Sequence, residues 1–431
     1  MKKSLIFAAV AALVLCACAK VETVKPVVNE PIAFGAYTGR TITKAGAYGE
    51  MNNTLLQDGF GVFAYQTTGD AAIATPNFMY NTKVYGDPFA YDIIKYWPNQ
   101  VANGDTDSQA VPATAIQADK VSFFAYAPYV PVTASSGTPT DSVDEGIVKL
   151  TANSNSGDPK VTYIVSEDLD KQVDLCWGVA YANSDAASVN WPTVAGTNVS
   201  LNPGFPFIGL QKPAINTPIH FYFRHALAQI NLKAVAAYNQ VAAGGTPQSN
   251  VKITIEKVEL SVPGMTDKAV LNLNNTAKNT PEWETADGAT DNNTLALTVA
   301  QANINTDLVY QGAQVQTNDG VVAPAADPAD DPYVIKNGKY FTVLPTANST
   351  DITVTVTYYV TTPDDDLALQ YSQVKNVITH DVTFGSGLVA GTKNTIKMIL
   401  GISEVKFEAE VSEWVDGDEK PVDLPQNKTN S

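Results

Sequence analysis

The sequence predicts an all-β protein. Short runs of β-branched and aromatic residues recur along the chain, and clusters of Gly, Pro, Asn and Asp separate them. No segment keeps the amphipathic helical period over three turns, as a surface helix would. The 431 residues predict two to three domains at about 150 residues each. An apolar fraction of 45% is enough to fill their cores.

Residues 1–18 have the pattern of an export signal. Two lysines precede an apolar run at residues 5–15, and these 11 residues are too few to span a bilayer as a helix, which takes about 20. The sequence Leu-Cys-Ala-Cys that ends the signal resembles a bacterial lipobox, with Leu15 at −3 and Cys18 at +1. We therefore expect acylation of Cys18, which would anchor the chain in a membrane. The alternative is a soluble periplasmic protein cleaved near Ala19.

The first predicted strand follows a tether. Residues 19–31 are polar, contain prolines and have no helical period, so we interpret them as this tether. The strand at residues 32–37 consists of Ile32, Ala33, Phe34, Gly35, Ala36 and Tyr37. Arg40, one of two arginines in the chain, comes three residues after it.

Further strands are predicted in both halves of the chain. They lie at residues 59–65, 92–97, 121–129, 161–165, 173–181, 219–234, 251–262, 294–299, 339–344, 351–361, 377–384, 395–401 and 404–414. Four prolines occur between residues 203 and 218, and proline cannot donate to a sheet ladder. We therefore place a domain boundary there, between an N-terminal β-sandwich at 32–210 and a C-terminal β-sandwich with a short tail at 211–431.

The net charge argues against nucleic acid and anionic membrane surfaces as partners. The formal charge of −17 becomes −19 when Lys2 and Lys3 leave with the signal. Both kinds of partner select basic patches. The acidic balance is typical of a soluble, self-repelling extracellular surface.

The sequence contains no recognisable catalytic motif. It has no GxSxG elbow, no P-loop and no GxGxxG after a strand, and its three histidines follow no HExxH pattern. Cys176, the one cysteine beyond residues 1–18, lies outside any metal-ligand spacing. We expect Cys176 to be a buried structural residue and His225 to be a partly buried structural residue. The acidic loops at 327–332 and 364–366 lack EF-hand spacing. We predict no enzyme activity, no cofactor and no metal site.

Several local patterns occur together in a characteristic order. They are the lipobox with Cys18, IAFGAYTGRTITKAG at 32–46, YWPN at 96–99, VSFFAYAPY at 121–129, QVDLCWGVA at 172–180, FRHALAQINL at 223–232, YFTVLP at 340–345 and VKFEAEVSEW at 405–414. Their order and spacing, over nearly the whole mature chain, resemble the fimbrillin family of Bacteroidales surface lipoproteins, the subunits of type V pili.

The resemblance implies two tandem transthyretin-like β-sandwich domains and a structural or adhesive role in cell-surface fimbriae. In that family the precursor reaches the outer membrane as a lipoprotein, and a protease that cuts after arginine removes the first strand. The emptied groove then accepts a donor strand from another subunit. Arg40 matches the position of the cut, and residues 32–37 match the displaced strand. The implied partners are other fimbrial subunits, outer-membrane lipid and ligands on host or bacterial surfaces.

Several alternatives stay open at this point, including a tip or minor position for the chain in the pilus. Lys44 offers a trypsin-like protease a second site, and Arg40 can be an ordinary surface residue. The tail at 415–431 contains two prolines and only three apolar side chains, which makes it a poor donor strand. The donor can instead include the 404–414 strand. In that strand Phe407, Ala409 and Val411 alternate with polar residues, which predicts one dry face. A surface glycan-binding lipoprotein of a polysaccharide-uptake system is the alternative function, and it would expose Trp or Tyr side chains in a row.

Overall fold

The computed structural model describes most of the chain. The described residues are 31–36, 59–68, 74–86, 89–98, 119–181, 189–192, 198–213, 217–237, 252–287, 294–305, 333–401 and 405–413. The predictions for Cys18, Tyr37, Arg40, Lys44 and the tail at 415–431 lie outside these residues.

The all-β prediction is confirmed. The strands are β1 (Phe34–Ala36), β2 (Phe60–Thr68), β3 (Met79–Val84), β4 (Asp119–Ala127), β5 (Val132–Thr133), β6 (Thr138–Pro139), β7 (Gly146–Leu150), β8 (Lys160–Ile164), β9 (Cys176–Ala180), β10 (Val189–Pro192), β11 (Asn198–Leu201), β12 (Phe207–Leu210), β13 (Ile219–His225), β14 (Ala228–Ala237), β15 (Lys252–Pro263), β16 (Lys268–Asn272), β17 (Glu282–Thr285), β18 (Thr294–Val299), β19 (Phe341–Val343), β20 (Thr350–Pro363), β21 (Tyr371–Phe384), β22 (Thr392–Gly401) and β23 (Val405–Glu413). Within the described ranges, the helical elements are single 3-10 turns at Leu169–Lys171, Gln301–Asn303 and Lys336–Gly338. No helix within the described ranges has the length and hydropathy that a membrane crossing requires.

The strands form one large sheet and several smaller ones. The seven-stranded sheet has the order β1-β13-β9-β4-β2-β3, and β12 also pairs with β4. Three four-stranded sheets have the orders β17-β16-β8-β7, β19-β14-β22-β23 and β18-β15-β20-β21. The pairs β1–β13 and β14–β22 are parallel, and the other strand pairs in these sheets are antiparallel. Two short ribbons, β5-β6 and β10-β11, complete the described structure.

The central strands of the seven-stranded sheet are buried on both faces. In β2, Val62 and Ala64 belong to one apolar cluster, which we call core A, whereas Phe63 and Tyr65 belong to a second cluster, core B. This division follows the two-residue period of a strand. Because both faces are dry there, the central strands β4 and β9 are largely continuous apolar runs, whereas the edge strand β3, with the sequence MYNTKV, is not. Core B extends to Leu400 and joins the smaller sheets.

One predicted strand is wrong. Residues 92–97 make a single isolated bridge, through Tyr96, instead of a strand. Ile93 has a φ of 60°, a left-handed conformation that a β-branched residue rarely adopts, and it is 83% exposed. The apolar residues of the segment 92–97 therefore do not indicate burial in a sheet.

The sheets do not divide at the predicted domain boundary. Within the proline-containing segment 203–218, β12 pairs with β4 and is part of the seven-stranded sheet. The next strand, β13, pairs with β9 and β1 in the same sheet. The four-stranded sheet β17-β16-β8-β7 also combines strands from both sides of residue 210.

Candidate functional site

The N-terminal strand β1 lies at one edge of the seven-stranded sheet. Its three residues pair in parallel with β13, in the register Phe34 with Ile219, Gly35 with His220 and Ala36 with Phe221. Ile219 N also donates to Ala33 O at 2.8 Å, just before the strand. A three-residue edge pairing holds β1 through few backbone hydrogen bonds, so most of its attachment comes from side chains.

The segment at residues 91–97 borders the beginning of this strand. Ile32 N donates to Lys95 O at 2.9 Å, and the Tyr91 hydroxyl donates to Ile32 O at 2.8 Å. Pro31 and Tyr96 form an isolated antiparallel bridge. The segment that was predicted to be a strand is therefore a neighbour of Ile32 that binds its backbone N–H and C=O groups.

The Phe34 side chain attaches the strand to core A. Phe34 is 6% exposed and Ile32 is 1% exposed. The Phe34 ring makes edge-to-face contacts with Tyr91 and Phe123 at centroid distances of 5.3 and 5.9 Å, and it stacks on Phe221 at 6.2 Å. Three aromatic partners around one ring form a socket, to which we refer below as the Phe34 socket.

Gly35 faces the opposite side of the sheet edge. A Cβ atom at this position would overlap the imidazole ring of His220, so the ring occupies the space that a side chain would need. Partial burial lowers the pKa of His220 below its usual range. Gly35 and His220 lie directly opposite each other in the β1–β13 register, so the imidazole ring covers Gly35 on this side of the sheet edge.

The pKa shift of His220 predicts a pH dependence. Because its pKa is lower in the folded state, the unfolded chain takes up the proton first as pH falls, and the stability contributed by the neutral ring is lost below about pH 6.5. We expect His220→Gln to reduce the loss of stability between about pH 7.5 and about pH 5. Urea unfolding of both proteins at the two pH values measures this. An identical loss in the variant would show that His220 does not contribute.

Removal of residues 31–36 would open an apolar groove in core A. Its walls would be β13 on one side and the 91–97 segment on the other, with the Phe34 socket at its centre. It would leave the backbone groups of β13 that now pair with β1 without partners. An apolar groove beside an unpaired strand edge is a binding site for another extended segment.

The last described strand, β23, is exposed at the other end of the chain. It pairs with β22 and lies at the edge of its sheet. Phe407 is half-buried and stacks on His380 at 5.1 Å, but Ala409 is exposed and Val411 is 48% exposed. The predicted dry face is therefore wrong beyond Phe407. The apolar side chains alternate as predicted, but nothing in the described residues covers the last two.

The described tryptophans do not form a sugar-binding platform. Trp97, Trp177 and Trp191 are buried, and Trp283 is half-buried against core B. Trp97 packs on Trp191 at a centroid distance of 6.0 Å inside core A. These positions give no support to the glycan-binding alternative.

Sequence reasoning identified the strand but not its surroundings. Tyr91, Phe123 and Phe221 are far apart in the sequence, and only the sheet topology brings them around Phe34. Cys176 is buried, as expected, and His225 is buried more completely than expected. The two residues are also direct cross-strand neighbours, which the sequence spacing did not indicate.

Comparison with solved structures finds proteins from Bacteroidales. A fimbrial protein from Bacteroides vulgatus matches with a TM-score of 0.57 and 20% identity, over 90% of this chain and 100% of that one. A protein from Bacteroides ovatus provisionally described as a cell adhesion protein matches with a TM-score of 0.41 and 14% identity, over 91% of this chain and 100% of that one. A fimbrial assembly protein from Parabacteroides distasonis matches with a TM-score of 0.31 and 11% identity, over 90% of this chain and 99% of that one.

The first of these matches shows that the chain shares the fold of a fimbrial protein. The resemblance inferred from the sequence motifs is therefore confirmed at the level of the fold. No protein-family model matches the chain, and no curated protein sequence matches it significantly.

Proposed function

We propose that this chain, which has the fold of a Bacteroides fimbrial protein, is a non-catalytic subunit of cell-surface fimbriae. It is exported as a lipoprotein precursor acylated at Cys18 and anchored in the outer membrane. Cleavage after Arg40 then frees the N-terminal strand, and a strand from another subunit takes its place in the extracellular fimbrium. The observation that carries this proposal is the way in which β1 is held. It is an edge strand with few backbone hydrogen bonds, and the Phe34 ring is its main apolar anchor.

The energetics favour exchange of the strand over simple loss. Full burial of an Ile or Phe side chain contributes about 1.5–3 kcal/mol, so Ile32 and Phe34 together hold the strand strongly while it is part of the chain. After a cut at Arg40 the strand has no covalent link to the core and its departure is governed by these contacts alone. A donor that fills the Phe34 socket would recover the same burial and repair the edge of β13.

The C-terminal strand β23 has the features of a donor. Its alternating Phe407, Ala409 and Val411 match the two-residue period of a groove. Ala409 and Val411 are exposed, so they would bury apolar surface only on leaving β22 for a neighbouring subunit. We therefore assign the donor to a segment that includes β23 rather than to the proline-containing tail alone.

Cleavage at Arg40 is expected to convert the monomer into oligomers. The purified precursor, treated with an arginine-specific protease, should yield a chain that begins at Thr41 and elutes as a ladder of assemblies in size-exclusion chromatography. Edman sequencing or mass spectrometry identifies the new N-terminus. A synthetic peptide of residues 30–40 added in excess should cap the groove and suppress assembly.

Two variants sharpen this test. Arg40→Ala should remain uncut and monomeric, whereas the matched control Lys44→Ala should be cut and assemble like the wild type. Quantitative cleavage at Arg40 with release of the fragment, followed by a stable monomer, would contradict the proposal. Assembly of uncut Arg40→Ala would contradict the requirement for the cut.

A further inference from the structure

Three metal-ligating side chains converge where β9 begins and β13 ends. Cys176 is the first residue of β9, and it lies directly opposite His225, the last residue of β13. Asp174 precedes Cys176 by two residues, which places both side chains on the same face of the extended chain. The fold thus joins an Asp-x-Cys pair to a histidine 49 residues further along the chain.

The three ligand atoms lie close together in a nearly dry environment. Asp174 Oδ2 is 2.7 Å from His225 Nδ1, and Cys176 Sγ is 3.7 Å from the same nitrogen. The distance from Cys176 Sγ to Asp174 Oδ2 is 3.9 Å. Cys176 and His225 are each 2% exposed, whereas the Asp174 side chain is 14% exposed and lies on the solvent side of the cluster.

The geometry differs from that of a catalytic relay. In a nucleophile–histidine–carboxylate relay the carboxylate and the nucleophile use different nitrogens of the imidazole ring. Here the carboxylate and the thiol both approach Nδ1. Burial of Cys176 and His225 also leaves no surface on which a substrate could meet the thiol. The three ligand atoms instead converge on one point, which is the arrangement found in a metal-binding site.

The separations fit a tetrahedral ion of the size of Zn²⁺. Tetrahedral angles with Zn–N and Zn–O distances near 2.0 Å and a Zn–S distance near 2.3 Å require ligand separations of about 3.3 Å between N and O and about 3.5 Å from S to either. Both separations that involve sulfur are within about 0.4 Å of this value. The N–O separation must widen by about 0.6 Å. A small rotation of the Asp174 carboxylate, the most exposed ligand, can supply that change.

We propose that Asp174 Oδ2, Cys176 Sγ and His225 Nδ1 form a binding site for a divalent cation of the Zn²⁺ class. A thiolate, an imidazole and a carboxylate together select a borderline ion over Mg²⁺ and Ca²⁺, which prefer oxygen ligands. Binding needs the thiolate and an Nδ1 without a proton, so at least the thiol proton is released. The ion would fix the end of β13, the strand on which β1 is seated. This inference does not depend on the proposed function.

The test uses the chain with Cys16→Ser and Cys18→Ser, in which Cys176 is the remaining thiol. Titration with Co²⁺ should give a thiolate-to-cobalt charge-transfer absorption in the near ultraviolet and the strong visible bands of a tetrahedral site, saturating at one ion per chain. Zn²⁺ should displace Co²⁺ and abolish both signals. Zn²⁺ should also raise the midpoint of thermal unfolding, whereas Mg²⁺ should not.

Two variants separate metal binding from a structural role of the cluster. Cys176→Ser should abolish the charge-transfer absorption. Asp174→Asn keeps the shape of the side chain and should weaken Co²⁺ binding at least tenfold while retaining that absorption. The matched control His380→Gln changes a histidine outside the cluster and should bind Co²⁺ like the parent chain.

The outcome that overturns the proposal is equally direct. A folded parent chain that shows neither the charge-transfer absorption nor a Zn²⁺-dependent shift in unfolding would identify the cluster as a purely hydrogen-bonded structural element. Charge-transfer absorption that persists in Cys176→Ser would also overturn it, because the thiolate would then not be a ligand.

Discussion

Phe34→Ala is expected to lower the free energy of unfolding by about 3–5 kcal/mol, the usual range for truncating a buried Phe. The ring is 6% exposed and is surrounded by Tyr91, Phe123 and Phe221, so its removal leaves a cavity lined by three aromatic side chains. Urea unfolding monitored by tryptophan fluorescence measures the loss.

The same variant should release the N-terminal strand much faster once the chain has been cut at Arg40. A loss of about 3 kcal/mol in the free energy with which the strand binds its groove corresponds to roughly a hundredfold change in the equilibrium constant for that binding. Fluorescent labelling of the amino-terminal fragment and measurement of its dissociation after cleavage tests this directly. Faster release should be accompanied by faster assembly of the remaining chain.

Phe89→Ala is the matched control for this experiment. Phe89 is a half-buried aromatic residue that packs against core A, at 5.6 Å from Phe60, but it is not on the exchanged strand. Its truncation should lower stability without a comparable effect on the release of the strand. If both variants release the fragment at the same rate, Phe34 is an ordinary core residue and the anchor that we assign to it does not exist.

Local sequence patterns predicted the strands well where one strand has a single continuous period. The strand at 294–299 agrees with β18 at both ends, and the strand at 251–262 differs from β15 by one residue at each end. The failure at 92–97 has a physical reason: the apolar side chains of Ile93 and Ile94 point to solvent, and their neighbour Tyr91 is held by its hydroxyl. Composition cannot distinguish apolar residues that are exposed from those that are buried.

Pairing between distant strands could not be predicted from the sequence. β8 and β16 are aligned with Val161 opposite Leu271, and no local signal connects these residues. For the same reason the prolines of the segment 203–218 predict a connector, although β12 lies within that segment and pairs with β4. Proline prevents donation at its own position but permits a short strand between two prolines.

The candidate site was predicted in part. The strand at residues 32–37 was identified from its composition and from the arginine that follows, and β1 lies within it. Its environment depends on the parallel pairing with β13, which lies beyond the predicted domain boundary. The Asp174–Cys176–His225 cluster could not be anticipated either, because its ligands come from two strands that meet only in the folded sheet.

A disulfide between β1 and β13 is expected to abolish assembly completely. Gly35 and His220 are aligned neighbours at the sheet edge, and Cα atoms of such neighbours are about 4.8 Å apart, within the range of about 4.4–6.8 Å that disulfides accept. Replacing both with cysteine also removes the imidazole ring that now occupies the space beside Gly35. In the mature chain the other free thiol, Cys176, is buried and should not compete.

In the oxidised Gly35→Cys/His220→Cys variant, cleavage at Arg40 should still occur, but the strand stays bound and the groove stays filled. Size-exclusion chromatography should show a monomer, with the two fragments separating only on a reducing denaturing gel. Addition of a reductant should restore release and assembly, because a groove can accept a donor only after its own strand has left. The double variant Gly35→Ser/His220→Ser removes the same imidazole ring but cannot form the disulfide, so it controls for the substitutions themselves and should assemble under both conditions. If the oxidised, cut double variant assembles to the wild-type extent, subunits join at a surface other than the groove that β1 occupies. The proposal of strand exchange at this groove would then have to be abandoned.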